Sequence, residues 1–260
     1  MVSADRRRKI LFLGQCLQYG YEGLSRYETY PNHAAIILKA QFPNLRLKFH
    51  FKYLHHPTVL NAILKQRLSL TKPDIALVSL PAMFAATSWR VNRIYQIAPE
   101  IVDTARAFRR SVEARAKGAS AQFVAAGKLF DKAFTVHPPI DLDHYERLIE
   151  EAVLYCNRNS PCRLILMGPG RFNEDTNEDY AIHSPELWSS VNSMILRVAA
   201  RMDVPVVDAQ GALAEHGSEV FIAHNHRFSQ LGHRVVGQEV ANVLASQLAI
   251  LNLRGRGARI

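Results

Sequence analysis

Three cysteines in 260 residues are too few, and odd in number, for a disulfide framework, and none forms a Cys-x-x-Cys pair. A zinc site built on such pairs therefore has no place here, and no metal or cofactor is called for. No apolar stretch reaches the roughly 18 residues that a membrane-crossing helix needs. The basic start MVSADRRRK leads into only four apolar residues before Gly14, shorter than the core of a signal peptide. These absences predict a cytoplasmic protein with no membrane span. No internal repeat is visible. The basic runs lack the interleaved aromatics of single-strand binders, so nucleic acid is not the expected partner.

What is present is a large apolar fraction, 48%, and a net charge of +9. The length suits one α/β domain with an elaboration. The basic excess sits in Arg6-Arg7-Arg8-Lys9, on Arg106, Arg109, Arg110, Arg115 and Lys117, and in the Arg-Gly tail. It reads first as a solvated basic surface, with attraction of an anionic ligand or carrier as the second reading. The eleven histidines are scattered, with close pairs only at His55-His56 and His224-x-His226.

Short apolar or alternating runs predict strands at 10–13, 46–53, 75–80, 163–167 and 204–207. Helical spacing, capping residues and first-turn prolines predict helices over 33–42, 57–70, from Asp141 or Asp143 to 156, 185–202 and 235–253. The stretches 91–117 and 122–134 also read as helical, within a variable insertion at about 85–160 that caps the rest. The stretches 171–182 and 210–221 read as loops. Strands alternating with helices predict a mainly parallel five-stranded sheet covered on both faces, a three-layer α/β/α architecture.

The chain is organised around KILFLGQCLQYGY, residues 9–21. Gly14 stops the first strand and Cys16 follows on the turn, where ligands bind in parallel sheets. Cys16 is either a nucleophile held on rigid backbone or a small buried hydrophobe.

Three stretches resemble the SGNH (GDSL-type) hydrolase superfamily. ILFLGQCL stands where the family has an apolar strand and Gly-Asp-Ser-Leu. KPDIALV, from Lys72, stands where a strand leads to Gly-x-Asn-Asp. FSQLGHRVVG, from Phe228, is similar to the segment that follows Asp-x-x-His into the last helix. The resemblance implies a single domain over 1–260 with a flavodoxin-like fold. It also implies an acyl hydrolase or acyltransferase acting on an ester or thioester. The catalytic blocks differ from the pattern. Gln15 and Cys16 replace Asp-Ser, and Ser79-Leu80-Pro81-Ala82 replaces Gly-x-Asn-Asp. Counting back from Gly232-His233, His224 falls on the triad aspartate and Arg227 on the triad histidine, with His226 one residue away.

A cysteine keeps a nucleophile in place of the serine, and His226 or His224 supplies an imidazole. The amide of Cys16 contributes to an oxyanion hole, with Gln15 or a side chain among Tyr53, His55 and His56 as second donor. Ser79 borders the same edge, and Arg227 suits an anionic substrate. A similar Gly-x-Cys turn in a coenzyme-A-binding, SGNH-like family of polysaccharide-modifying enzymes extends the expectation to acyl transfer from a thioester. The substrate implied is a small-molecule or carrier-linked acyl compound. The alternative is a catalytically silent descendant that binds a carbohydrate, an acyl ligand or a protein partner.

Overall fold

Ile10-Leu11-Phe12-Leu13 offers no polar side chain to either side of a strand, so both faces of the sheet around it must be covered. The computed structural model describes residues 7–14, 24–54, 59–82, 85, 141–174, 185–222 and 227–257. In it these four side chains are at most 1% exposed, in the second strand of a five-stranded sheet. The strands are β1 (Arg7–Gly14), β2 (Arg46–Tyr53), β3 (Ile75–Ser79), β4 (Arg163–Met167) and β5 (Val206–Val207). All neighbours pair parallel in the order β2-β1-β3-β4-β5. This is the doubly wound α/β arrangement that the alternation predicts.

The helices are α1 (Tyr30–Gln41), α2 (Leu60–Thr71), α3 (Leu142–Asn159), α4 (Pro185–Arg201), the short α5 (Ala209–Leu213) and α6 (Gln230–Gly257). Ile10, Phe12, Ile75, Leu77 and Ile165 face α1 and α6 in one continuous core. On the edge strand, Leu47, Phe49 and Phe51 join that core, and Phe12 stacks on Phe51 at 5.4 Å between ring centroids. Burying an aromatic side chain of this size contributes about 2 kcal/mol. The other layer holds α2, α3 and α4, whose buried faces include Leu64, Ile149 and Val198.

Several boundaries differ from the sequence reading. Helix α1 starts three residues before position 33, because the Thr29 carbonyl accepts from both Asn32 and His33. Helix α6 starts at Gln230 rather than 235: the Ser229 carbonyl accepts the His233 amide, and the Ser229 hydroxyl accepts that of Gly232. The fifth strand is only Val206–Val207, since Val204 closes the end of α4 by donating to the Ala199 carbonyl. The third strand ends at Ser79, although Leu80 still donates to Met167 at 2.9 Å. The stretch predicted as a loop from 210 contains α5 and a 3-10 turn at Ser218–Val220.

By its contacts the chain divides into two compact units, Met1–Phe84 with Leu142–Ile260, and Ala85–Asp141. Helix α3, which the sequence groups with the insertion, belongs to the sheet unit and packs on α2, β4 and α4. The helices expected over 91–117 and 122–134 lie outside the described residues.

Candidate active site at the carboxyl edge of the sheet

In a sheet of this order the strands on either side of β1 leave in opposite directions, opening a crevice at the carboxyl ends of β1 and β3. Gly14 ends β1 there. It is in register with Tyr53 on one side, and its carbonyl accepts the amide of Leu54 at 2.6 Å. On the other side Leu13 pairs with Val78, so β3 ends at Ser79 alongside the end of β1. Tyr53 and Ser79 are both half-buried. Gln15, Cys16, His55 and His56 follow these strand ends in sequence and lie outside the described residues.

The end of β4 reaches the same edge through Gly168-Pro169-Gly170. A Cβ on Gly170 would sit 2.4 Å from Cζ of Phe228, and one on Gly168 would sit 2.2 Å from Oδ1 of Asn192. A side chain at either position would force Asn192 or Phe228 to shift. Phe228 in turn forms an antiparallel bridge with Phe221, with the Ile222 amide donating to the Arg227 carbonyl at 2.9 Å. Ile222 and Arg227 are thus tied to each other; residues 223–226, with His224 and His226, lie outside the described residues. Arg227 is exposed at the foot of that connection.

The structure therefore brings Tyr53 and Ser79 to the strand ends, and Arg227 to a loop base whose neighbour Phe228 packs on the turn after β4. Sequence reasoning missed the polar cluster beside them. Asn192, only 7% exposed, donates from Nδ2 to Oδ1 of Asp208 at 3.3 Å, and the same oxygen accepts the Gly211 amide at 2.9 Å. Asn173 is also buried in the segment after β4. An isolated asparagine inside a helical pattern carries no signal of a tertiary partner, whereas the strand-ending Gly168 and Asp208 are visible marks.

His233 is a framework residue. It is fully buried, and burial first and the nearby His33 second push its pKa down to about 3. Cys156 and Cys162 are equally unsuited to nucleophilic work. Burial raises Cys156 to about 12 and Cys162 further still. Among the described residues no group of three or more His, Cys, Asp or Glu side chains is arranged to hold a metal ion. A groove of about 320 Å3 between α2 and α3, lined among others by Lys65, Glu151 and Tyr155, contains none of the candidate residues.

No family model matches the chain, and comparison with curated proteins also finds no match. Solved structures do match. The acetylxylan esterase Axe2 from Geobacillus stearothermophilus, as a catalytic mutant, superposes with a TM-score of 0.59 at 17% identity, over 91% of this chain and 93% of that one. Unmutated Axe2 gives 0.58 at 17% identity over 91% and 93%. The lipase/acylhydrolase from Enterococcus faecalis gives 0.57 at 13% identity, over 90% and 94%. The chain shares the parallel α/β fold of these esterase and acylhydrolase structures over about nine-tenths of its length.

Proposed function

We propose that the protein is an SGNH-type acyl hydrolase or acyltransferase that acts on an ester or thioester, with Cys16 as nucleophile. The observation that carries the reading is the pinned Ile222–Arg227 connection. His224 and His226 fall between those two residues in sequence, and Phe228 beside them packs on Gly170 of the turn after β4, at the sheet edge where β1 ends two residues before Cys16. The esterase and acylhydrolase structures that share the fold support ester chemistry. In this reading His226, or its rival His224, takes the thiol proton as the Cys16 sulfur attacks the acyl carbonyl. The imidazolium returns the proton to the departing alcohol or thiol, leaving a thioester on Cys16. Water or a second acceptor then cleaves that thioester. The Cys16 amide and a donor from Gln15, Tyr53, His55 or His56 stabilise the oxyanion, while Ser79 borders the acyl group and Arg227 holds an anionic substituent. The substrate is a small-molecule or carrier-linked acyl compound, and the unpaired cysteines suit the cytoplasm.

Turnover of an activated acetyl ester and an acetyl thioester by the wild type, abolished in Cys16→Ala, is the expected result. The second reading is a silent binder, favoured by the loss of the Asp-Ser and Gly-x-Asn-Asp residues. Absence of wild-type turnover on every acyl donor would decide for it.

A further inference from the structure

The sequences of β1, β2 and α2 contain no aspartate or glutamate, and each carries two or three lysines or arginines. Alternation along a strand sends Arg7 and Lys9 to one face of the sheet. The parallel register sets Lys48 beside Lys9 and His50 beside Leu11 on that same face. Phe49 and Phe51 pack on the other face with Ile10 and Phe12. Helix α2 lies on the basic side, where the carbonyl of its last residue, Thr71, accepts Nζ of Lys9 at 3.0 Å. Arg7 and Lys48 are exposed, whereas Lys9, His50 and Arg67 are half-buried.

Four cations from three elements act on one imidazole. Burial first, and after it Lys48, Lys9, Arg7 and Arg67, hold His50 below its ordinary pKa. Nε of Arg67 and Nε2 of His50 are shielded from solvent and make no hydrogen bond among the described residues, which is costly for groups of this kind. Asp74, just before β3, is already engaged by Nη1 of Arg8 and by the Lys9 amide. Lysine on an outer strand discourages pairing with other chains. That accounts for Lys48, but not for Arg67 on the helix or for Arg7 and Lys9 on β1.

We propose that Arg7, Lys9, Lys48, His50 and Arg67 form a binding site for a tetrahedral dianion, the phosphate of a small soluble phosphomonoester. A carboxylate brings one charge and a flat pair of oxygens, enough for one of these cations. A phosphate brings two charges and three oxygens pointing apart, which groups from two strands and a helix can share. The guanidinium groups supply forked donors and the lysines supply point charges. The long exposed ends of Arg7 and Lys48 give way as the anion enters, and its oxygens become acceptors for the Arg67 and His50 donors. Once protonated, His50 donates from both ring nitrogens. The His50–Leu11 pair lies three residues before the Gly14–Tyr53 pair, so the site sits about 10 Å short of the carboxyl edge. It is independent of the acyl chemistry. A nucleic-acid strand finds no stacking surface here, since Phe49 and Phe51 belong to the opposite face.

The test follows the ring resonances of His50 by NMR in the full chain, with sulfate replacing chloride at constant ionic strength. Sulfate is a tetrahedral dianion that does not titrate near neutral pH, so any pH dependence belongs to the protein. The His50 pKa should rise by about one unit at saturation. By reciprocity, sulfate should bind about tenfold more tightly below that pKa than above it. Inorganic phosphate and glycerol phosphate should compete with sulfate, and Cys16→Ala should bind them as the wild type does. Arg67→Gln should weaken glycerol phosphate binding about tenfold. Lys65→Gln, on the same helix but over the Tyr155 ring, should leave it unchanged. A His50 pKa that sulfate does not move would overturn the proposal without any variant, and so would equal losses in Arg67→Gln and Lys65→Gln. Tighter binding of oligothymidylate, or of phosphatidic acid vesicles, than of glycerol phosphate would overturn the assignment to a small soluble ligand.

Discussion

Nδ1 of His233 accepts the backbone amide of Tyr30 at 3.1 Å, and the two rings stack with centroids 6.1 Å apart. One bond thereby joins the first turn of α6 to the first residue of α1, and it requires an imidazole with a free lone pair. Protonation would destroy the acceptor. The folded pKa is about 3 against an ordinary 6.5, so below pH 6.5 the unfolded chain binds a proton that the folded chain refuses. This contribution to stability is fully present above the unfolded value. It is lost as pH falls from 6.5 toward 3, at about 1.4 kcal/mol per pH unit for one proton. Urea unfolding across that window should show a shallower acid slope for His233→Asn, which keeps an acceptor but does not titrate. Identical slopes would assign the acid sensitivity elsewhere.

At the opposite edge of the sheet, Asp74 ties three strands together. Its carboxylate accepts from Nη1 of Arg8 at 2.7 Å and from the Lys9 amide at 2.8 Å, and its carbonyl accepts the Arg163 amide at 2.9 Å. Arg8 is only 12% exposed and also donates to the Leu251 carbonyl at the end of α6. Asp74→Ala should cost about 2–3 kcal/mol in denaturant unfolding, because it strands a guanidinium largely out of water. Arg8→Met combined with Asp74→Ala should recover part of that loss. A double variant no more stable than Asp74→Ala would show that the backbone amide, not the ion pair, is what the carboxylate serves.

The sheet was legible because its strands carry a signal of their own. RLKFHFKY alternates with period two, and IALVS and RLILM are apolar runs bounded by turn residues, so β2, β3 and β4 fall at or within one residue of the predicted bounds. The two-residue β5 is shorter than its apolar run because Val204 reads as strand but spends its amide on α4. The apolar period begins five residues after the start of α6, because Gln230, Gly232 and His233 break it. Their helical conformation rests on the Ser229 cap and on the Tyr30 partner of His233, both tertiary or local polar effects. The edge where the candidate site lies was foreseeable from Gly14, Ser79 and Gly168. The Asn192–Asp208 bond was not, since it joins residues whose spacing signals nothing. Arg227 was placed by counting back from Gly232-His233, and the Phe221–Phe228 bridge beside it is a contact that no periodicity announces.

Thiol chemistry separates Cys16 from the other cysteines without any substrate. Cys156 and Cys162 are buried and held protonated, Cys156 with a pKa near 12. In the native protein iodoacetamide should therefore modify Cys16 alone. Its rate should rise through a pKa below the roughly 8.5 of a free thiol. Peptide mapping after partial labelling reads this directly. Equal labelling of all three, or modification only after denaturation, would make Cys16 a core residue.

Under the proposed function, variants of the closing connection tell which histidine is the base. A cysteine nucleophile without an asparagine donor must draw more of its rate from its base and from backbone amides. Nucleophile and base also act as a unit, so losing either should remove most of the acceleration. Cys16→Ala should abolish turnover of short thioesters, and His226→Ala should lower kcat by about 10²–10⁴, the range for general-base catalysis. His224→Ala belongs beside it as the rival: the larger loss identifies the base. Arg227→Ala should raise KM for anionic substrates more than it lowers kcat, because a guanidinium stays protonated and cannot accept the proton. Gly170→Ala supplies the positional control. Its methyl would meet the ring of Phe228 at 2.4 Å and displace the base of the histidine connection. It should lower kcat while leaving Cys16 open to iodoacetamide. If Gly170→Ala turns over as well as the wild type and neither histidine variant loses more than about twofold, the 223–226 connection takes no part in the chemistry, and a base must be sought elsewhere.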